Sequence, residues 1–498
     1  MFHRFTRFLP LALMLACPFG LHGEPTAIPI LTLEQAIQRA LAKNYTIQVQ
    51  AISRPIARAE LTEAWGKFDV QLQGSYQSSR DEQPGLTSSL TGLRPSADIT
   101  KDTTASLGLG GTLPWGMTYS VGANTENLRD TSNGLSDTYT TFAGVSLTQP
   151  LLRDAGFGST LTQVRLARTN VAMSEWDYRR SVTDVITQVI YAYSDLYFAQ
   201  LRLRSTQRSR DAAAKLYQDN KRRRDLQDMS EFDVLSASAR VAGREDNVLQ
   251  AESGVRATEN ALKQLISDER DTSLLVQNLT IEPLTNVAST APDPAADFAT
   301  ALQKRPDYQL AQLAIKRGDL NRRYALNQLL PRIDANGSYG YNGIGPDFVA
   351  SRQDTRSRDY AAYGAGVSVS IPLTSSAERG RYRASKLRLQ QAELELQQLE
   401  QDIVVALGNA AQQVESTRRR VAVTREARRL NETMLEAELK RLRAGTGSTF
   451  SVLYQQEYLT SAEMNEALAQ AAHCKALAEY DRQTGRTLEA HHIEIKAD

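Results

Sequence analysis

Ala361-Ala362-Tyr363-Gly364-Ala365-Gly366-Val367-Ser368-Val369-Ser370-Ile371 runs straight into Pro372-Leu373. One face of this segment carries Ala361, Tyr363, Ala365, Val367, Val369 and Ile371; the other carries Ala362, Gly364, Gly366, Ser368 and Ser370. Successive side chains of a strand point to opposite faces, so this is a strand with one apolar face and one small, polar face. The same phrase occurs earlier, as Ala143-Gly144-Val145-Ser146-Leu147 ahead of Pro150-Leu151. Strands of about 10 residues that alternate in this way suit a transmembrane barrel with a wet lumen. A soluble antiparallel sheet with one wet face is the alternative.

The duplication extends in both directions. Upstream, Ala40-Leu41-Ala42-Lys43 leads to Val70-Gln71-Leu72-Gln73-Gly74-Ser75-Tyr76, and Ala301-Leu302-Gln303-Lys304 leads to Ile333-Asp334-Ala335-Asn336-Gly337-Ser338-Tyr339. Downstream, Ser230-Glu231-Phe232-Asp233-Val234-Leu235 matches Ser448-Thr449-Phe450-Ser451-Val452-Leu453. The order is the same in both copies: short helices, strands, a long helix, a turn, a second long helix. Two structural repeats follow. Met117, Tyr119, Val121 and Ala123 alternate as well, and Leu113-Pro114-Trp115-Gly116 reads as a tight turn. The first copy therefore holds four strands and the second two. Polar stretches at 80–103, 128–138 and 342–359 suit long external loops.

The long helices change period. Tyr178, Val182, Val185, Val189, Ala192, Leu196, Ala199 and Leu203 follow a 4-3 spacing, as do Leu389, Ala392, Leu396, Leu399, Ile403, Ala406 and Ala410. These are coiled-coil seams with alanines that allow close approach. A helix of some 65 residues from Glu378 to Arg443 would span roughly 100 Å, a length suited to a tube across the periplasm. Six tilted strands cannot enclose an aqueous channel, which takes on the order of 16. Closure therefore requires several copies in a ring.

Composition excludes other classes. The 498 residues carry 58 Lys+Arg against 57 Asp+Glu, a balance that gives no bulk electrostatic grip on nucleic acid. Five His and two Cys are too few and too scattered for a metal cluster or disulfide frame, so no cofactor is expected. Cys474 reads as an inert core or seam residue. Arg4 and Arg7 followed by the apolar 8–19 stretch form an export signal, with cleavage expected between Gly23 and Ala27. Met14-Leu15-Ala16-Cys17 loosely resembles a lipobox, which would instead make Cys17 an acylated N-terminus. Beyond it no run of about 18 apolar residues exists, so a membrane can be crossed only by a closed barrel.

These residues resemble the TolC-like outer-membrane factors over nearly all of the mature chain. Leu31-Thr32-Leu33-Glu34-Gln35-Ala36 with Ala40-Leu41-Ala42-Lys43-Asn44 looks like the family's opening helix. Ser146-Leu147-Thr148-Gln149-Pro150-Leu151-Leu152-Arg153 looks like its strand-to-helix junction, and Arg441-Leu442-Arg443-Ala444-Gly445 with Ser448, Val452 and Leu453 like its hairpin tip. The resemblance implies a fold that is mainly α with membrane β: a homotrimer forming an outer-membrane β-barrel, continued by a periplasmic α-helical coiled-coil barrel and girdled by a mixed α/β belt. It implies outer-membrane lipid around the barrel. It further implies docking of an inner-membrane pump through a periplasmic adaptor (membrane fusion) protein at the hairpin tips. Those tips contain Arg224, Asp225 and Asp228 in the first copy and Gly445 and Gly447 in the second. Arg224-Asp225 stands where the family often has Ala-Gly, leaving a charged turn that is either a solvated loop or a docking surface. Several members narrow the periplasmic entrance with aspartate rings. Asp233 holds that position in the first copy, with a helix-capping or surface role as the alternative. Ser451 and Tyr454 replace acidic residues in the second.

The organisation expected is a signal peptide at 1–27, a first repeat at 28–267, a linker at 268–296, a second repeat at 297–485 and a tail at 486–498. Barrel strands are expected at about 68–149 and 332–372, and helical hairpins at about 160–267 and 378–485. No catalytic constellation is present. His473 and Cys474 are adjacent and point in different directions on a helix, and His491-His492 lies in a terminal stretch of the kind that is usually mobile. The functional expectation is a passive gated duct of a tripartite efflux or type I secretion system. A stand-alone outer-membrane porin or adhesin and a periplasmic coiled-coil scaffold are the alternatives. Drug, metal and protein export share such a component, because the cargo is chosen upstream.

Overall fold

The computed structural model describes residues 30–84, 97–131, 134–227, 230–270, 272, 278–284, 292–444, 446 and 449–495. The export segment with Cys17, and the tip residues Asp228, Gly445 and Gly447, lie outside the described residues.

Helix α1, Leu33–Lys43, starts at a capping box in which Thr32 and Gln35 bond reciprocally. It ends at Asn44, whose side chain accepts from Thr46 N and Ile47 N and so caps helix α2, Tyr45–Gly66. Four strands follow: β1 (Gln71–Gln83), β2 (Asp98–Thr112), β3 (Thr118–Asp130) and β4 (Thr138–Pro150). A short α3 (Gly156–Thr160) precedes α4, Thr162–Asp225, and its partner α5, Glu231–Ile266. The second copy begins with α6 (Pro294–Lys304) and α7 (Pro306–Asn327), each opened by a proline where the missing N–H is harmless. Strand β5 (Arg332–Gly345), helix α8 (Phe348–Ser357), strand β6 (Ala361–Ser370), helices α9 (Ser376–Arg443) and α10 (Thr449–Thr484) and a final turn α11 (Thr487–Ala490) complete it.

The duplication is metrical. Helices α1 and α6 both have 11 residues, α2 and α7 both 22, and α5 and α10 both 36. Helices α4 and α9 have 64 and 68. The α1–α2 corner at Asn44 has φ −67, ψ 124, and the α6–α7 corner at Arg305 has φ −68, ψ 124.

The six strands form one antiparallel sheet in chain order. Its register lines up one apolar row across every strand: Leu72, Leu109, Val121, Val145, Tyr339 and Tyr363 are successive partners. The adjacent row on the other face is Gln73, Gly108, Gly122, Gly144, Gly340 and Ala362. The turn around Trp115 does add strands. Leu113 N bonds Met117 O at 2.7 Å, and Gly116 sits at φ 100, where an added Cβ would come within 2.6 Å of Asp154 O. Two loops are shorter than expected. Strands β1 and β2 reach Gln83 and Asp98, inside the 80–103 stretch, and the 342–359 stretch holds the end of β5 and all of α8. Polar composition hid both. A strand wet on its two faces beyond the membrane has no apolar alternation to show, and the ten-residue α8 is anchored by two small residues, Ser351 and Thr355.

In the isolated protomer the core lies where α4 meets α1, the end of α5, the end of α10 and an extended segment at 278–284. Leu31 forms a parallel bridge with Ile281, and the buried Tyr193 hydroxyl donates to Leu31 O (3.0 Å) and Glu282 O (2.9 Å). Part of the 268–296 stretch is thus built into this belt. Residues 486–495 of the expected tail are likewise packed rather than loose: Thr487 is buried, and Leu488 and Ile493 pack on the core. Along α4, Val182, Val185, Val189 and Leu196 of the first seam are buried, joined by Ile186, Ile190 and Tyr193 on a second flank. The α9 stripe runs Ile403, Leu407, Ala410, Val414, so Leu407, not Ala406, is the buried member. Fully burying each such aliphatic side chain contributes about 1.5–3 kcal/mol, against about 0–1 kcal/mol for an exposed ion pair. The seams, not surface pairs such as Arg418–Glu415, therefore hold the helices together. Cys474 packs against this core, and burial pushes its thiol up, consistent with an inert seam residue.

Burial also pushes the Asp481 carboxyl up to about 6, with Arg486 pulling weakly the other way. An acid with a raised folded pKa costs stability once it must ionise, so its contribution worsens as pH rises from about 4 to about 6. Asp481→Asn should remove that cost. Its stability advantage over wild type, read from thermal unfolding, should be near zero at pH 4 and grow to on the order of 2–3 kcal/mol by pH 7. A pH-independent difference would contradict the assignment.

Candidate functional site at the helix-hairpin tips

The two hairpins, α4–α5 and α9–α10, run away from the sheet and turn at their far ends. At the first tip α4 ends in Arg222, Arg223, Arg224 and Asp225, where cations suit the negative end of the helix. Arg224 donates from Nη2 and Nε to Asp225 Oδ1 (2.7 and 3.2 Å) and from Nη1 to Glu231 Oε2 at 3.4 Å, tying the end of α4 to the start of α5. Gln227 takes a left-handed φ of 60 at the reversal. Ser230 then caps α5: Asp233 N donates to its Oγ at 3.2 Å, and that Oγ donates to Asp233 Oδ2 at 2.6 Å. Asp233 is exposed in the first turn of α5, where the helix dipole favours a carboxylate.

At the second tip Thr446 N donates to Arg441 O at 3.0 Å, closing the last turn of α9. From there α10 presents an aromatic ladder at helical spacing. Phe450 stacks on Tyr454 with centroids 6.3 Å apart, and Tyr454 meets Tyr458 edge-on at 4.7 Å, their hydroxyls 2.6 Å apart. All three are exposed in the single protomer. Arg240 of α5 lies 5.9 Å over the Phe450 ring, and Arg244 pairs with Glu457. Arg240, Arg244 and Glu457, together with Arg208, Leu216 and Leu453, line a groove of about 160 Å³ between the two hairpins. Higher up, Glu466 of α10 is buried between Arg425 (3.4 Å) and Arg428 (2.5 Å) of α9. Nothing in this constellation has the geometry of a catalytic centre, and no group of metal-ligating side chains exists among the described residues. His473 Nδ1 lies 3.0 Å from Thr417 Oγ1, a helix-to-helix contact.

Three comparisons bear on this geometry. Residues 299–486, which include all of α7, β5, β6, α8 and the second hairpin, match the family model described as outer membrane efflux protein. The second repeat thus carries the sequence signature of outer membrane efflux proteins. Among curated relatives, the outer membrane efflux protein BepC of Brucella suis is 26% identical over 339 residues, 68% of this chain and 70% of BepC. The Campylobacter jejuni CmeC outer membrane channel superposes over 96% of this chain and 94% of its own with a TM-score of 0.68 at 15% identity. The open-state Neisseria gonorrhoeae MtrE outer membrane channel covers 92% and 89%, with a TM-score of 0.62 at 17% identity. By these matches this protein is an outer-membrane efflux channel, a transport protein and not an enzyme, with its strands in the outer membrane and its long helices in the periplasm.

In this efflux protein Arg224, Asp225 and Asp233 come together at one tip, while Tyr454 and Ser451 lie on α10 at the other. Phe450 and Tyr458 were readable as i, i+4 partners of Tyr454 but not singled out, because an aromatic stripe alone does not distinguish a packed face from an open one. The Ser230 cap was written in the sequence as Ser230-x-x-Asp233. Ser230→Ala should cost about 1 kcal/mol, localised as faster amide hydrogen exchange in the first turn of α5. Unchanged exchange there would show that the tip is held by Arg224 alone.

Proposed function

We propose that three copies of this chain assemble into a passive, gated duct that receives substrate from an inner-membrane pump through a periplasmic adaptor, as in a tripartite efflux or type I secretion system. The carrying observation is that the protomer is incomplete at both ends. Its sheet has two free edges, β1 and β6, and a band of exposed apolar residues including Leu72, Tyr76, Val121, Tyr363 and Val367. Its α9 helix likewise leaves Leu387, Leu394, Val404 and Val405 uncovered in the single chain. Three six-stranded sheets joined edge to edge give about 18 strands, enough to enclose an aqueous lumen. The same rotation places three copies of each long hairpin side by side, covering the apolar residues of α9.

The tips are the adaptor-docking surface in this reading, because they are the farthest points from the membrane and expose fixed charge at Arg224, Asp225 and Glu231. Asp233, Ser451 and Tyr454 form the periplasmic mouth. Three Asp233 carboxylates would favour cations there, while three Phe450-Tyr454-Tyr458 ladders would narrow the opening with rings that slide apart when the helices shift.

Detergent-extracted protein should migrate as a heat-modifiable trimer; a soluble monomer would end the duct reading. In planar bilayers the trimer should show a small conductance whose cation preference falls in Asp233→Ala. An unchanged conductance and selectivity would remove Asp233 from the gate and leave it a partner of the Ser230 cap.

A further inference from the structure

Three successive strands carry the same kind of dipeptide near their distal ends: Arg80-Asp81 on β1, Lys101-Asp102 on β2 and Arg129-Asp130 on β3. The register sets Arg80 opposite Lys101 and Lys101 opposite Arg129. Because neighbouring residues face opposite ways, the basic members share the face of Leu72, Leu109 and Val121, and the acidic members face the lumen side. Like charges directly opposite one another destabilise a sheet unless an anion lies between them. Arg80 has Glu82 at 3.0 Å and Arg129 has Asp137, but Lys101 between them has no ion pair among the described residues.

Helix α8 extends this outer face at the same end. Ser351 and Thr355 seat it on the sheet: Ser351 Oγ lies 2.5 Å from Thr141 Oγ1, Thr355 Oγ1 is 3.4 Å from Thr141 O, and Gly343 and Gly345 leave no room for a side chain beneath it. Thr141 and Gly343 belong to the row directly beyond Ala143 and Tyr341, so α8 lies just outside the apolar band, next to the Tyr339–Tyr341 hydroxyl pair. Its exposed flank carries Val349, Arg352 and Arg356 at helical spacing, with Phe348 and Arg358 beside them. Two neighbouring acids are engaged by backbone: Asp347 caps α8, and Asp354 accepts from Ile344 N at 3.0 Å. None of the three arginines has an ion pair among the described residues.

We propose that this outward-facing collar, Lys101 with Arg352 and Arg356 at its centre, binds the phosphate-bearing headgroups of outer-leaflet lipid, with α8 lying in the interface as an anchor. Guanidinium groups match phosphate geometry, and Phe348 and Val349 beside them give acyl chains a contact that a dissolved anion would not use. The inference rests on the outer-membrane reading of the sheet.

The test uses full-length protein with the F348W reporter, reconstituted in vesicles of phosphatidylcholine with a minor fraction of phosphatidic acid, bromine being placed on the acyl chains of one lipid or the other. Brominated phosphatidic acid should quench the reporter about tenfold more efficiently per mole than brominated phosphatidylcholine. Adding Lys101→Gln, Arg352→Gln and Arg356→Gln should bring that ratio close to unity while the trimer band persists. Equal quenching by both lipids before those changes, or an undiminished ratio after them, overturns the collar. Loss of the preference on adding inorganic phosphate also overturns it, in favour of a solution-anion site. Quenching by neither lipid would instead strike at the membrane reading itself.

Discussion

Backbone N–H and C=O groups cannot be left unpaired in hydrocarbon, where each costs several kcal/mol, and this governs the whole molecule. A six-stranded sheet with an apolar face spanning all six strands meets that condition along its four inner strands and fails it at β1 and β6. The protomer is therefore a segment of a larger object. Its helices obey the same logic in water: the seams on α4 and α9 bury one stripe each within the chain and leave other apolar stripes for neighbours.

The duplication explains how one chain makes both parts. Equal lengths of α1 and α6, of α2 and α7 and of α5 and α10, with nearly identical corner dihedrals at Asn44 and Arg305, give the two copies the same local geometry. The copies differ where the chemistry differs. The first carries two extra strands around Trp115 and a tip clamped by Arg224; the second carries α8 between its strands and an aromatic ladder beyond its tip. A repeat thus supplies the frame, and the two copies depart from it at their tips and within the sheet.

At the two hairpin tips, carboxylate and aromatic side chains are held in different ways. Asp233 is held by Ser230 in the first turn of α5, so its charge is fixed in position and favoured by the helix dipole. Phe450, Tyr454 and Tyr458 stack along one face of α10, with Arg240 over the Phe450 ring. In the proposed gate the first group would set the local potential and the second the local width.

Alternation at 361–371, the 4-3 spacing along α4 and α9, the turn at Trp115 and the ordered echo of short motifs were all determined by sequence, because each rests on contacts made within one element or on a period set by backbone geometry. The Leu407 position shows where that reach ends: Ala406 and Leu407 are both apolar, and only packing against α10 decided which one is buried. The same holds for the continuation of β1 to Gln83, the seating of α8 on Thr141 and Gly343, the built-in 278–284 segment and the convergence of Arg240 with Phe450. These depend on partners more than 100 residues away or on strands that are wet on both faces, and a one-dimensional pattern carries no mark of a contact whose two halves are that far apart.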